Sequence, residues 1–344
     1  CCAALAPSSL SIWFYWPLTL RVNLGGKDFL LIRAPVEERM AYLSMAALQL
    51  ELCVEDNLSI IEKEIDLVKK RFPWIQLVVL PELCTFGPST DLAVALPGEV
   101  ENCFREAARK NDIWLIPGSI FERQGQEVFN TAPVISPQGE VIARYRKQYP
   151  FLPYEKGVSA GEDFVVFDIP GAGRVGLITC YDMWFPEMVR TLAWMGAEAV
   201  ICPSLTNTID RGVELAIAQS NAATNQLYFL NLNSAGRLAV GRSIFVGPDG
   251  QVIHQAGAGR EIITVEVDFS HVQRVRERGL QGLCQTLKSF RDHKVDYPPY
   301  RQALADPGAF GNLGALEVPL REALDGPAVS RDGWTQAQSG TGSS

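Results

Sequence analysis

Apolar positions along this chain switch repeatedly between two spacings. Tyr42–Leu50 is an almost unbroken apolar run and predicts a strand, and Val54–Arg71 then carries Leu58, Ile61, Ile65 and Val68 at helical spacing. Ile75–Leu80 predicts a buried strand ended by Pro81, a helix follows over Glu99–Lys110, and Ile113–Gly118 predicts the next strand. Strands of this uniformly apolar kind, alternating with helices, belong to sheets covered by helices.

The middle of the chain reads differently. Asn130–Ser136 and Glu140–Tyr145 flank Pro137-Gln138-Gly139, and Ser243–Val246 and Val252–His254 flank Pro248-Asp249-Gly250, so each pair predicts a hairpin. Val175–Thr179, Ala199–Cys202, Leu227–Asn233 and Ile262–Val267 supply further strands, and Pro186 marks a helix start. No short repeat is visible. Hairpins and βα units in one chain predict an α/β fold in which two mixed sheets pack together with helices outside, a four-layer α-β-β-α sandwich.

Residues 40–298 carry this pattern as one domain. Residues 1–39 depart from it. Their apolar run Leu10–Leu20 is too short to span a bilayer and lacks the basic flank and cleavage site of a secretory signal. The segment reads as a leader upstream of a start at Met40, or else as an extension. Residues 299–344 form a C-terminal extension. Its Gly/Ser/Gln-rich end, Asp332–Ser344, predicts disorder, and Asp296–Leu324 reads either as an arm around a neighbouring subunit or as a loose tail.

Composition narrows the function. The chain has 344 residues, 47% hydrophobic, with a net charge of −8 and no Lys/Arg-rich run. It therefore offers no electrostatic footprint for nucleic acid, and a small-molecule partner is the better expectation. None of the eight cysteines pairs with another at C-x-x-C spacing, which indicates no zinc or redox motif and suits reduced thiols in the cytoplasm.

Three reactive side chains share one address. Glu82, Lys147 and Cys180 each follow an apolar strand, and strand ends are where open α/β sheets bind ligands. Taken alone, each has a plain reading as a helix-cap neighbour, a solvated hairpin end or a buried thiol. The three histidines, His254, His271 and His293, lie elsewhere, so a Cys–His dyad is poorly supported. A carboxylate raised by burial can take the thiol proton instead, and an ammonium beside the sulfur favours thiolate and stabilises an oxyanion.

The segment Cys180-Tyr181-Asp182-Met183-Trp184-Phe185-Pro186-Glu187 resembles the nucleophile elbow of the nitrilase superfamily, in its amidase-like branches. Pro81-Glu82, Tyr145-Arg146-Lys147, Asn225-Gln226-Leu227-Tyr228 and Gly241-Arg242-Ser243-Ile244 resemble further family segments, in the family's order, from about Tyr42 to Arg291. The resemblance implies a Glu82–Lys147–Cys180 triad, with Glu155 as a second glutamate that holds Lys147 or binds leaving ammonia. Without it, Glu155 reads as a loop carboxylate in water.

The implied activity is cofactor-free hydrolysis of a small, aliphatic amide through a thioester. N-carbamoyl hydrolysis or a nitrilase reaction is the alternative within the family, and an inactive scaffold or ligand sensor is the non-enzyme alternative. Tyr181, with its backbone N–H as oxyanion donor, and Trp184, Ser204 and Thr206 are the candidate substrate-binding residues. Relatives acting on ω-amides carry Arg where this chain has Trp184, which implies a smaller or more apolar pocket. Relatives also assemble, so a homodimer or larger homo-oligomer is expected.

Overall fold

The structure, a computed structural model, describes residues 42–54, 56–152, 154–295, 297, 308–313 and 316, with the backbone of Leu18–Leu24 and Lys27–Arg33. The chain divides into two compact units, Cys1–Met40 and Ala41–Ser344. In the first, Leu18–Leu24 and Lys27–Arg33 pair as antiparallel strands. The expected disorder of Asp332–Ser344 lies outside the described residues, as does nearly all of the extension 299–344.

The second unit holds two large mixed sheets. The first has the spatial order Glu261–Asp268, Tyr42–Gln49, Leu77–Val79, Trp114–Ile116, Glu127–Ile135, Ile120–Gln124, and Val141–Arg146 also pairs with Glu127–Ile135. The second runs Val165–Ile169, Gly173–Leu177, Ala199–Ser204, Tyr228–Asn233, Ile244–Val246, Val252–Gln255. Each has a parallel centre of three strands with antiparallel strands outside it. The expected two-sheet α/β architecture is the one found.

Period-two alternation explains the layering. Along the strand Tyr42–Gln49, Leu43, Met45 and Ala47 face a core shared with Val175, Leu177 and Phe229 of the second sheet. Ala46 and Leu48 point the other way and, with Leu50, meet Ile61, Ile65 and Val68 of the helix Leu58–Arg71 and Phe104 and Ala108 of the helix Glu99–Asn111. On the second sheet, the helices Pro186–Trp194 and Arg211–Asn225 add Met188, Leu192, Leu215 and Ala218 to the shared core. Each large apolar side chain buried in this way contributes about 1.5–3 kcal/mol.

Several boundaries move for local reasons. The helix expected from Val54 begins at Leu58, because Asn57 holds the preceding turn by donating from Nδ2 to the carbonyls of Cys53 (2.8 Å) and Cys84 (3.0 Å). The strand before Cys180 closes at Leu177, and Cys180 instead opens a short 3₁₀ turn, Cys180–Trp184.

Candidate active site

Four segments bring the reactive side chains together, two of them shaped by glycine. After the strand Leu77–Val79, the chain turns through Pro81-Glu82-Leu83. Gly118 lies so close that a Cβ there would sit 1.7 Å from the Pro81 carbonyl oxygen. Lys147 follows the strand Val141–Arg146, where its N–H donates to the Asn130 carbonyl (2.9 Å). Its own carbonyl accepts from the N–H of Gly161 (2.8 Å), a position where any Cβ would meet the Arg146 carbonyl at 2.1 Å. Glu155 lies in the turn beyond. Cys180 occupies the left-handed region (φ 47°), which non-glycine residues seldom adopt.

The four side chains are buried and continuous. Lys147 Nζ donates to Glu82 Oε1 (2.8 Å) and Glu155 Oε2 (2.6 Å), with all three side chains at most 5% exposed. Asn130 joins the same pair of carboxylates, its Nδ2 donating to Glu82 Oε1 (2.8 Å) and Glu155 Oε1 (2.7 Å). The Phe151 N–H donates to Glu155 Oε2 (2.6 Å). Cys180 lines the same cavity as Glu82 and Lys147 and feels the charge of both. These side chains line a cavity of about 60 Å³, room for roughly four to six water-sized groups.

Burial dominates the electrostatics. It opposes a charged Lys147, but the carboxylates of Glu155 and Glu82 prevail and hold the ammonium well above the ordinary lysine value. Burial raises Glu82, with Glu155 adding to the rise and Lys147 opposing it. Burial and then the charge of Glu82 push the Cys180 thiol well above its ordinary value, against Lys147. The ammonium therefore does not produce a resting thiolate, contrary to the sequence expectation, because burial and Glu82 outweigh it. Burial and Glu82 thus favour the thiol form of Cys180, and a thiol becomes a nucleophile only where a neighbouring group can take its proton.

A second buried network fixes the turn that carries Cys180. Asp182, fully buried, accepts from the Tyr145 hydroxyl (2.6 Å) and from the N–H groups of Thr179 (2.9 Å) and Tyr149 (2.9 Å). It thus ties the cysteine turn to the lysine segment. Burial pushes its carboxyl up to about 6, against the charge of Lys147 and these hydrogen bonds.

The remaining candidates divide. Tyr181 and Thr206 line the cavity; Trp184 and Ser204 do not. Trp184 packs against the core beside Tyr181 (ring centroids 6.2 Å apart), so it is no measure of pocket size. Ser204 accepts from Asn231 Nδ2 (2.7 Å) below the cavity. Thr206 donates to Glu214, which also pairs with the buried Arg211 (2.8 Å). Glu155 is 4% exposed, not a solvated loop carboxylate. Asn130 was not anticipated, although a buried amide in the middle of an apolar strand is itself a signal. Among the described residues, no His/Cys/Asp/Glu group is arranged to hold a metal, and no helix is long and apolar enough to cross a membrane.

Comparison with known proteins gives a consistent picture. A profile described as carbon-nitrogen hydrolase matches residues 44–277. The chain is similar to a formamidase of Bacillus thuringiensis (strain Al Hakam), with 32% identity over 227 residues, 62% of this chain and 68% of the relative. Its fold is similar to that of Saccharomyces cerevisiae Nit3, a member of branch 10 of the nitrilase superfamily (TM-score 0.65, 30% identity, 71% of this chain and 96% of that one). It is also similar to an amidase from Nesterenkonia sp. AN1 (TM-score 0.61, 26% identity, 70% and 95% covered), a mutant of which shows covalent addition of the acetamide moiety of fluoroacetamide at its active site cysteine.

Proposed function

The chain belongs to the carbon–nitrogen hydrolase family of the nitrilase superfamily, and on that premise we propose that it hydrolyses a small aliphatic amide to the carboxylic acid and ammonia through a thioester on Cys180. Glu82 takes the thiol proton as Sγ attacks the carbonyl carbon. Lys147 and the backbone N–H of Tyr181 stabilise the oxyanion that forms. Glu82 returns the proton to the departing nitrogen, leaving the thioester, and then deprotonates the water that cleaves it. Glu155 and Asn130 hold Lys147 and Glu82 in register.

The observation that carries this reading is the shared cavity: nucleophile, base and ammonium line one space of about 60 Å³. That volume favours short amides. The relatives named formamidase and amidase support the same bond type.

The test is ammonia release from a panel of short amides, N-carbamoyl compounds and nitriles. Cys180→Ala is expected to abolish release from amides while keeping the wild-type circular dichroism spectrum. Undiminished release by the folded variant refutes the role given to Cys180.

A further inference from the structure

The cavity has a charge asymmetry that the reaction itself does not use. Its lining holds four carboxylates, those of Glu82, Glu155, Glu214 and Asp210, against one ammonium, that of Lys147. Lys147 is engaged by Glu82 and Glu155, and Glu214 is paired with Arg211. Asp210 differs from all of these. It directly precedes the helix Arg211–Asn225, yet its side chain does not cap that helix. Among the described residues it has no ion pair or side-chain hydrogen bond.

A second feature lies in the same lining. Phe151, Tyr154 and Tyr181 contribute aromatic rings, with Phe151 nearly parallel to Tyr154 (10°, centroids 5.8 Å apart) and 5.0 Å from Tyr181. Aromatic faces attract cations through the ring quadrupole and offer nothing comparable to a carboxylate. A substrate tail ending in a carboxylate would enter facing Asp210 with no uncommitted cation to meet it. A tail ending in an ammonium would meet a carboxylate and aromatic walls together.

We propose that this cavity selects small amides with a cationic far end over ω-amides carrying a free carboxylate, and that Asp210 is the residue setting that preference. The proposal rests on the amide-hydrolase reading of the same cavity and names its substrate class. The limited volume keeps the tail to a few atoms.

The test compares β-alaninamide (cationic), butyramide (neutral) and succinamate (anionic), which have similar lengths, in the wild type, Asp210→Asn and Asp210→Lys. The readout is the ratio of kcat/KM for β-alaninamide over succinamate, which is internal to each variant and so insensitive to partial misfolding. The wild-type ratio is expected to be about tenfold or more, the size expected when one partly screened charge attracts one substrate and repels the other. Asp210→Asn should lower it several-fold, Asp210→Lys should invert it, and added salt should compress it in the wild type. A ratio near one in the wild type, or one unmoved by Asp210→Asn, overturns the proposal. If the wild type releases ammonia from none of the three, the amide-hydrolase reading fails instead. The preference is then read from protection of Cys180 against iodoacetamide, where β-alaninamide must protect at lower concentration than succinamate.

Discussion

Replacing Lys147 by Met keeps a chain of similar length and removes the charge. In the native protein that charge lies 2.8 Å from Glu82 and 2.6 Å from Glu155, with every partner buried. Without it, two carboxylates remain side by side with the Asn130 amide between them. Removing one partner of a buried ion pair costs about 3–5 kcal/mol, since the other is left uncompensated. Glu82 is already raised by burial above its ordinary 4.5 and loses the opposing cation, so it rises further. A carboxyl raised in the folded state stabilises the fold fully only below its unfolded value, and that stability is lost as pH rises through the folded value. The deficit of Lys147→Met should therefore be largest at pH 8 and shrink towards pH 5, by about 1.4 kcal/mol for each unit by which Glu82 rises. Urea denaturation of wild type and variant at both pH values measures it. A deficit equal at both pH values, or one below about 1 kcal/mol at pH 8, refutes the view that Lys147 balances buried carboxylates.

Two further outcomes follow from the same electrostatics. The charge of Glu82 helps hold Cys180 as a thiol, so Glu82→Gln should move the pH profile of iodoacetamide alkylation at Cys180 to lower pH; an unmoved or higher profile counts against the contact. Asp182 is raised from 3.8 to about 6, so the stability it contributes is full below pH 4 and is lost as pH rises through 6. Asp182→Asn lacks this titration, so its stability deficit relative to wild type should narrow by about 2.4 kcal/mol between pH 4 and pH 7 in urea melts; a gap that stays constant or widens refutes it.

Much of this fold was legible because apolar runs and turn residues agree locally. Pro137-Gln138-Gly139 lies between the paired strands Glu127–Ile135 and Val141–Arg146. Pro186 stands at the first turn of its helix. The helix Arg211–Asn225 escaped notice because its buried face includes the polar residues Arg211, Glu214, Asn221 and Asn225, of which Arg211 and Asn221 bond to Asn231, Arg242 and Met183, distant in sequence. The helix Phe269–Arg278 was missed although Asp268 caps it by accepting from the Ser270 N–H (2.9 Å). The strands Ile120–Gln124 and Val165–Ile169 also went unassigned.

The same division holds at the candidate site. Glu82, Lys147 and Cys180 could be singled out because each follows a strand. Asp182 reads locally as a backbone acceptor, and it does accept from Thr179, but its bonds to Tyr145 and Tyr149 depend on tertiary structure. Ser204 and Trp184 have the right neighbourhood in sequence and the wrong direction in space, which spacing alone does not encode.

The reacting groups are divided between the two sheets. Glu82 and Lys147 follow strands of the first, and Cys180 follows a strand of the second. Either half can acquire its hydrogen-bonded ladder without acquiring chemistry. During refolding, recovery of turnover therefore requires the docking of one half onto the other. Ellipticity should return first, and ammonia release should time the closure.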